Sequence, residues 1–255
     1  MDHVGSRDFW RGSVGTWLSL PSVDLAELLS SMEFSWLTID LEHSGISIET
    51  AMDMMRVISL SGKAPLVRIS SLDPSVVKRL MDSGAAGIIV PDVRSWKECK
   101  LAVDSVFYKP KGIRGVGLNR AQKYGKGFEE YKDWLNSNGP AVIVQIEDIS
   151  AIPCLDEIFA VGEVTGAMIG PFDLTASLGI HGDISAPEYL EALDAIVEVA
   201  GRWDMPLGIH IVDPDPCLAL QYCKQGFDFV AYGVDFTFVI EGAKTLSRLL
   251  SKGDS

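Results

Sequence analysis

Charged and polar side chains gather at the ends of apolar runs in this sequence. The run SWLTID (35–40) finishes on Asp40, with Glu42 and His43 just beyond it. PLVRI (65–69) carries Arg68 at its end, and PAVIVQIE (140–147) delivers Gln145 and Glu147. TGAMIG (165–170) runs into Gly170, Pro171, Phe172 and Asp173. Glu147 and Asp173 make a pair of hard oxygen ligands suited to Mg²⁺ or Mn²⁺, with the remaining positions left to water and substrate oxygens. The plainer alternative is that each carboxylate only caps the helix that follows it. Arg68 either binds an anionic group of a substrate or pairs internally with a carboxylate. His43, in DLEHSG, is a candidate acid/base, a metal ligand or a structural histidine. His210, near the end of PLGIHI (206–211), follows the same logic more weakly, whereas His3 and His181 read as surface or loop residues.

Eight short β-rich runs, separated by segments of helical spacing, must hold these ends together. Besides the five above they are SVGTWL (13–18), GIIVP (87–91) and DFVAYG (228–233). They read as continuous rather than alternating apolar runs, as expected of parallel strands buried on both faces. Between them, Leu25, Leu28 and Leu29 make one helical face, and Val76, Val77, Leu80 and Met81 another. Asp24 and Asp73 stand where an N-cap is wanted, the latter followed by Pro74. Eight βα units in about 250 residues predict a single-domain (β/α)8 barrel over residues 1–255. An open doubly wound sheet is the alternative, but no Gly-rich dinucleotide fingerprint follows the first strand. In a barrel the strand C-termini share one rim, and that rim would collect the side chains named above. The interval 91–140 is long; its loop YKPKGIRGVGLNRAQKYGKGF (108–128) is expected to be functional. Asp82, at the end of the third helix, faces away from its own rim and would matter only if another subunit presents it. The tail from Lys252 is polar and expected to fray.

Composition excludes several classes. With 22 basic and 35 acidic side chains the formal net charge is −13, the wrong sign for binding a nucleic-acid backbone. The start lacks the basic-then-apolar pattern of a signal peptide, and no apolar run reaches the ~20 residues that span a bilayer. Four cysteines without a CxxC pair read as reduced thiols of a cytoplasmic protein. None of the twelve lysines falls in an expected strand, which disfavours a Schiff-base mechanism. The last two βα loops are acidic and lack a Gly-rich phosphate cradle, and no GxSxG elbow is present.

Taken in order, GTWLSLP, IDLEHSG, PLVRI, LMDSGAAGIIVPDV, GIRGVG, VQIE and IGPFDLTASLG resemble the HpcH/HpaI aldolase family, metal-dependent pyruvate aldolases built on a barrel. The resemblance implies reversible cleavage of a 4-hydroxy-2-oxo acid, of 2-keto-3-deoxy acid type, to pyruvate and an aldehyde. It implies Glu147 and Asp173 as ligands of a divalent ion, Mg²⁺ or Mn²⁺ first, Co²⁺ or Zn²⁺ next. It implies Arg68 as the enolate-stabilising arginine and His43 as the base. Asp82 supports that histidine, often across a subunit contact, and Asp40 occupies the acidic position before it. Gln145 and the backbone from Gly170 through Pro171 and Phe172 to Asp173 match the pyruvate-carboxylate pocket, which Trp17 also lines. Family members form hexamers, trimers of dimers, in which the last helix packs onto a neighbouring barrel. The sequence departs from several characterised members after His43 and at Phe172, positions that bear on the aldehyde partner. Two other readings stay open. One is acetyl-CoA condensation with oxaloacetate or citrate-lyase-like CoA-ester cleavage, for which only Lys109, Lys111 and Arg114 offer a basic patch. The other is a barrel that holds metal and oxo acid without turnover.

Overall fold

The computed structural model describes residues 4–137 and 139–252, with side chains as far as residue 245; His3 and the last residues of the expected frayed tail lie outside them. The eight apolar runs form β1 (Ser13–Leu18), β2 (Trp36–Asp40), β3 (Ala64–Arg68), β4 (Gly87–Val90), β5 (Ala141–Ile146), β6 (Gly166–Ile169), β7 (Leu207–Ile211) and β8 (Phe229–Val234). They pair in chain order, all parallel, and β8 closes back onto β1. Every residue of β2 through β6 is buried. That double-sided burial is why the runs show no polar alternation.

A short α1 (Arg7–Trp10) precedes the barrel. The outer layer is α2 (Val23–Ser30), α3 (Ile48–Leu60), α4 (Pro74–Ser83), α5 (Trp96–Val106), α6 (Phe128–Ser137), α7 (Leu155–Phe159), α8 (Pro171–Ser177), α9 (Pro187–Arg202), α10 (Pro216–Lys224) and α11 (Asp235–Lys252). Asp73 caps α4 as expected, accepting a hydrogen bond from the Ser75 amide ahead of Pro74. The cap of α2 is not Asp24 but Ser22, whose hydroxyl accepts from the Leu25 amide at 3.2 Å. Asp24 instead sits in the first turn, where its charge favours the helix N-terminus. The loop after α5 contains a short 3₁₀ turn (Arg120–Gly125) and is pinned at its middle. There the fully buried Arg114 side chain donates to Asp82 Oδ1 and to the Tyr131 hydroxyl, each at 2.9 Å, and its guanidinium lies 4.2 Å from the Tyr108 ring centre. The four cysteines are unpaired, and no described helix is long and apolar enough to cross a membrane.

Two apolar clusters divide the interior. One fills the space between strands and helices; the other fills the barrel lumen. The lumen is stopped by aromatic rings at its N-terminal end. Trp10 packs 4.9 Å from Phe229 and 5.7 Å from Trp36, centroid to centroid, and its indole N–H is satisfied by the Val4 carbonyl. This plug leaves the opposite end, where the strands finish, as the place for polar side chains. It also demands room. Gly15 pairs with Trp36 in the β1–β2 register, and a Cβ at Gly15 would stand 2.1 Å from the Trp36 ring. Overpacking of this kind costs roughly 1–3 kcal/mol or more. Gly15→Ala is therefore expected to lower the unfolding free energy by that amount, seen as a lower urea midpoint with little change in slope, and a wild-type midpoint would contradict this packing.

Candidate active site

The register of two neighbouring strands builds the centre of the site. Asp40 ends β2 directly opposite Arg68, which ends β3. Arg68 donates from Nε to Asp40 Oδ1 at 2.9 Å and from Nη2 to Oδ2 at 2.7 Å, a two-pronged pair. Its third nitrogen, Nη1, stands 3.1 Å from Glu42 Oε2. Both partners of the central pair are buried, at 6% and 2% exposure. Burial alone would raise the Asp40 carboxyl, yet the Arg68 hydrogen bonds and charge hold it below the usual carboxylate range. Asp40 also accepts from the Glu42 and His43 amides, and its carbonyl accepts from the Ser44 hydroxyl. One carboxylate thus fixes both the arginine and the turn that carries His43. Of the two expectations for Arg68, internal pairing holds, and the guanidinium still flanks the cleft, 5.4 Å from the Trp17 ring centre.

Neither Glu147 nor Asp173 caps a helix. Asp148, not Glu147, caps the 3₁₀ turn that follows β5. Asp173 lies inside the first turn of α8, whose N-cap is Gly170, with no side-chain cap bond. Glu147 Oε1 accepts from the Asp92 amide at 2.7 Å, while Oε2 is buried with no partner. Asp92 adopts a left-handed backbone, φ 51°, which aims that amide at the carboxylate. Gly170 gives Oε2 its space, since a Cβ there would come within 2.6 Å of it. Burial, then repulsion from Asp173 and Glu42, pushes the Glu147 carboxyl up to about 7, against the pull of the Asp92 amide and Arg68. An orphaned buried carboxylate oxygen among further carboxylates calls for a cation. Among the described residues no cluster of three or more His, Cys, Asp or Glu side chains is arranged for a metal. The fit of Glu147 and Asp173 to a divalent ion rests on the unpartnered Oε2 and the repulsion between the two carboxylates, and such an ion would take its remaining ligands from water and substrate.

A cleft of about 330 Å³ opens at the rim and is lined by Trp17, Asp40, His43, Arg68, Gln145, the turn Gly170 to Asp173, and His210. A second hollow of about 320 Å³ shares His43 and Asp173 with it and reaches Glu42, Asp92 and Glu147. The structure thus gathers all the expected site residues but one. Asp82 lies at the C-terminal end of α4, the end that leads back into the strand N-termini. Within the chain it is held by Arg114 and by Gln122 at 3.4 Å. His43 is 67% exposed, with Nε2 3.9 Å from Glu42 Oε2. Phe172 is exposed at the mouth, where Val212 and Phe236 complete the wall. The Asp92 amide, the Glu42–Arg68 contact and the wall residues Val212 and Phe236 were not expected from sequence. The first is a backbone group of the turn PDV after β4, and no residue type there announces it.

A parallel eight-stranded barrel with a buried arginine–carboxylate centre and an unpaired carboxylate on its C-terminal rim is the architecture of an enzyme that handles oxyanions. The HpcH/HpaI aldolase/citrate lyase family model matches residues 13–242, and the chain belongs to that family. It is 37% identical over 240 residues to 4-hydroxy-2-oxo-heptane-1,7-dioate aldolase of Salmonella typhimurium, covering 93% of this chain and 89% of that protein. It is 38% identical over 242 residues to the enzyme of the same name in Klebsiella pneumoniae, with the same coverage. Among solved structures, an HpcH/HpaI aldolase/citrate lyase family protein from Burkholderia cenocepacia superposes with a TM-score of 0.87 at 28% identity, covering 96% of both chains.

The raised Glu147 carboxyl sets a stability prediction for the chelator-treated protein. Its folded-state value lies above the ordinary 4.5, so its contribution is intact below about 4.5 and lost as pH rises through about 7. Glu147→Gln, which stays neutral, is expected to exceed wild type in unfolding free energy at pH 8 by up to about 3 kcal/mol. The two proteins should match near pH 4, and excess Mg²⁺ should reverse the order at pH 8. Equal midpoints at pH 8 in chelator would contradict the strained-carboxylate account.

Proposed function

We propose that this protein catalyses the reversible aldol cleavage of a 4-hydroxy-2-oxo acid to pyruvate and an aldehyde through a pyruvate enolate. The observation that carries this reading is the juxtaposition of Arg68, clamped by Asp40 and Glu42, with the cleft that also holds Gln145 and Asp173. Names of the Salmonella and Klebsiella relatives support the same chemistry. The whole chain, 1–255, is read as one such domain.

Gln145 and the turn from Gly170 to Asp173 receive the carboxylate end of the oxo acid. A divalent ion held by Glu147 and Asp173, Mg²⁺ or Mn²⁺ first, would serve as Lewis acid for the 2-oxo acid half. His43, acting through water, takes the proton of the 4-hydroxyl. The bond from C3 to C4 then breaks, C4 leaves as the aldehyde carbon, and the electron pair passes into the enolate of pyruvate. Arg68 meets that developing charge. Asp40 and Glu42 pre-orient the guanidinium, so little reorganisation accompanies the step. The proton taken up by His43 and its water is given back at C3, which completes pyruvate and restores the base.

The CoA-ester reading loses its support in the loop 108–128. Arg114 is buried and engaged with Asp82 and Tyr131, and Lys111 pairs with Glu163 at 2.8 Å while lying over Phe107. A barrel that only holds metal and oxo acid would use Glu147 and Arg68 equally; the aldolase names of the Salmonella and Klebsiella relatives weigh against it. We further read the protein as a cytoplasmic homo-oligomer, a hexamer built as a trimer of dimers. The same loop exposes Ile113, Val116, Leu118 and Tyr124 next to the Asp82–Arg114 pair, an apolar face suited to delivering Asp82 toward a neighbour's His43. Val239 and Ile240 on α11 are likewise exposed, which suits that helix to packing on an adjacent barrel.

Cleavage assayed by pyruvate release tests the assignment. His43→Ala and Arg68→Ala are each expected to lower kcat/KM by about 100-fold or more. Glu147→Ala is expected to move the Mg²⁺ titration of activity to at least tenfold higher concentration. Wild-type turnover by the Arg68 variant would overturn the enolate role.

A further inference from the structure

His210 is, with Ser19, a polar residue of the cleft that the mechanism leaves unused. It stands on β7, opposite Ala231 of β8, and its ring stacks on Trp17 with centroids 4.4 Å apart and planes 19° from parallel. The Gly233 carbonyl pulls the imidazole toward its protonated form, whereas Nε2 is buried and has no partner. With Nε2 unpartnered, the proton is assigned to Nδ1, the nitrogen left to meet that carbonyl. Burial, with the nearby Arg68 charge, pushes the imidazole down to about 4, so it is neutral at working pH and Nε2 presents only a lone pair.

Three roles for such a ring can be weighed. A structural histidine satisfies both nitrogens, and this one satisfies one. A general base needs a pKa near the operating pH, and this ring is held well below it. A metal ligand needs companions, and the described residues form no His, Cys, Asp or Glu cluster of three or more for a metal. What remains is a fixed hydrogen-bond acceptor in the wall of a substrate cleft. The walls beside it are apolar, formed by Val212, Val234 and Phe236. Trp17 Nε1 and Gln145 Oε1 are also buried and unpartnered in this cleft, but at His210 itself a ligand meets a lone pair, and only a donor satisfies it.

We propose that His210 determines specificity in the aldol reaction: through Nε2 it accepts a hydrogen bond from a hydroxyl of the aldehyde half, so that hydroxyaldehydes are selected over their deoxy counterparts. This rests on the aldolase reading above. A deoxy aldehyde would dehydrate the cleft and leave Nε2 buried and unpaired, which is the situation in which hydroxyl recognition discriminates most strongly. The same acceptor could instead serve a hydroxyl on the three-carbon donor, and the test separates the two.

The Mg²⁺-loaded protein is assayed for condensation of pyruvate with lactaldehyde and with propanal, which differ by one hydroxyl. Wild type is expected to prefer lactaldehyde in kcat/KM by about tenfold or more, and His210→Leu to bring the ratio to about one. His210→Gln, which keeps an acceptor oxygen, should restore part of the preference. Each ratio is taken within one protein, so a poorly folded variant lowers both terms alike. A second readout does not depend on turnover. In protein labelled with ¹⁵N-histidine, only four imidazoles give signals, and the His210 resonances are assigned by their loss in His210→Leu. The Nε2 signal should shift when lactaldehyde is added with pyruvate and stay in place with propanal. A wild-type ratio near one, or an unchanged ratio in His210→Leu, overturns the proposal while leaving the aldolase reading intact. A His210-dependent preference for hydroxypyruvate over pyruvate, without one between the aldehydes, overturns the assignment to the aldehyde half. Failure of both condensations sinks the aldolase reading, and the Nε2 response to the hydroxyl then decides this one alone.

Discussion

A buried guanidinium clamped by carboxylates from the end of the neighbouring strand is the constraint around which this molecule is arranged. Arg68 can be buried only because Asp40 meets it with two hydrogen bonds and Glu42 takes its third nitrogen. Removing one partner from such a pair typically costs about 3–5 kcal/mol, although the intact pair adds little net stability. Its value is positional. Asp40 faces Arg68 only in the observed β2–β3 register, and a slip of one residue would turn both side chains to the wrong face. The barrel's closure fixes that register, and the helices packed outside it fix the closure.

The charge around the clamp has a consequence for chemistry. One guanidinium faces Asp40, Glu42 and Glu147, and Asp173 adds its charge beside Glu147, so negative charge is in excess at the rim. Asp40 and Glu42 are spent on Arg68, and the excess concentrates on Glu147, whose Oε2 has no partner. A divalent cation and an incoming oxo acid restore the balance together, one supplying positive charge and the other oxygen ligands. The aromatic plug of Trp10, Trp36 and Phe229 closes the other end of the lumen. Substrate chemistry is therefore confined to one mouth, where Phe172, Val212, Phe236 and His210 surround the entering aldehyde half.

Much of this was legible in the sequence, for identifiable reasons. Parallel strands buried on both faces write themselves as continuous apolar runs, so the eight strands and their order could be read directly. A charged residue at the end of such a run has nowhere to go but the rim, which is why Asp40, Arg68, Glu147 and Asp173 were found. What escaped depends on contacts between distant segments or on backbone. Ser22 outcompetes Asp24 for the α2 cap because the chain turns two residues earlier. The Asp92 amide reaches Glu147 through a left-handed turn that no residue type announces. Arg114 looked like part of a basic surface patch, yet Asp82, Tyr108 and Tyr131 draw it inside.

The central claim is that this rim makes and holds a pyruvate enolate, and it can be tested without knowing the aldehyde. Pyruvate is incubated with the protein in D₂O, and loss of the methyl proton signal is followed by NMR with Mg²⁺ or Mn²⁺ and then with chelator. The account predicts exchange of the methyl protons that depends on the added metal and stops when it is removed. Absence of exchange with either metal, in protein that is folded and binds pyruvate, would contradict it.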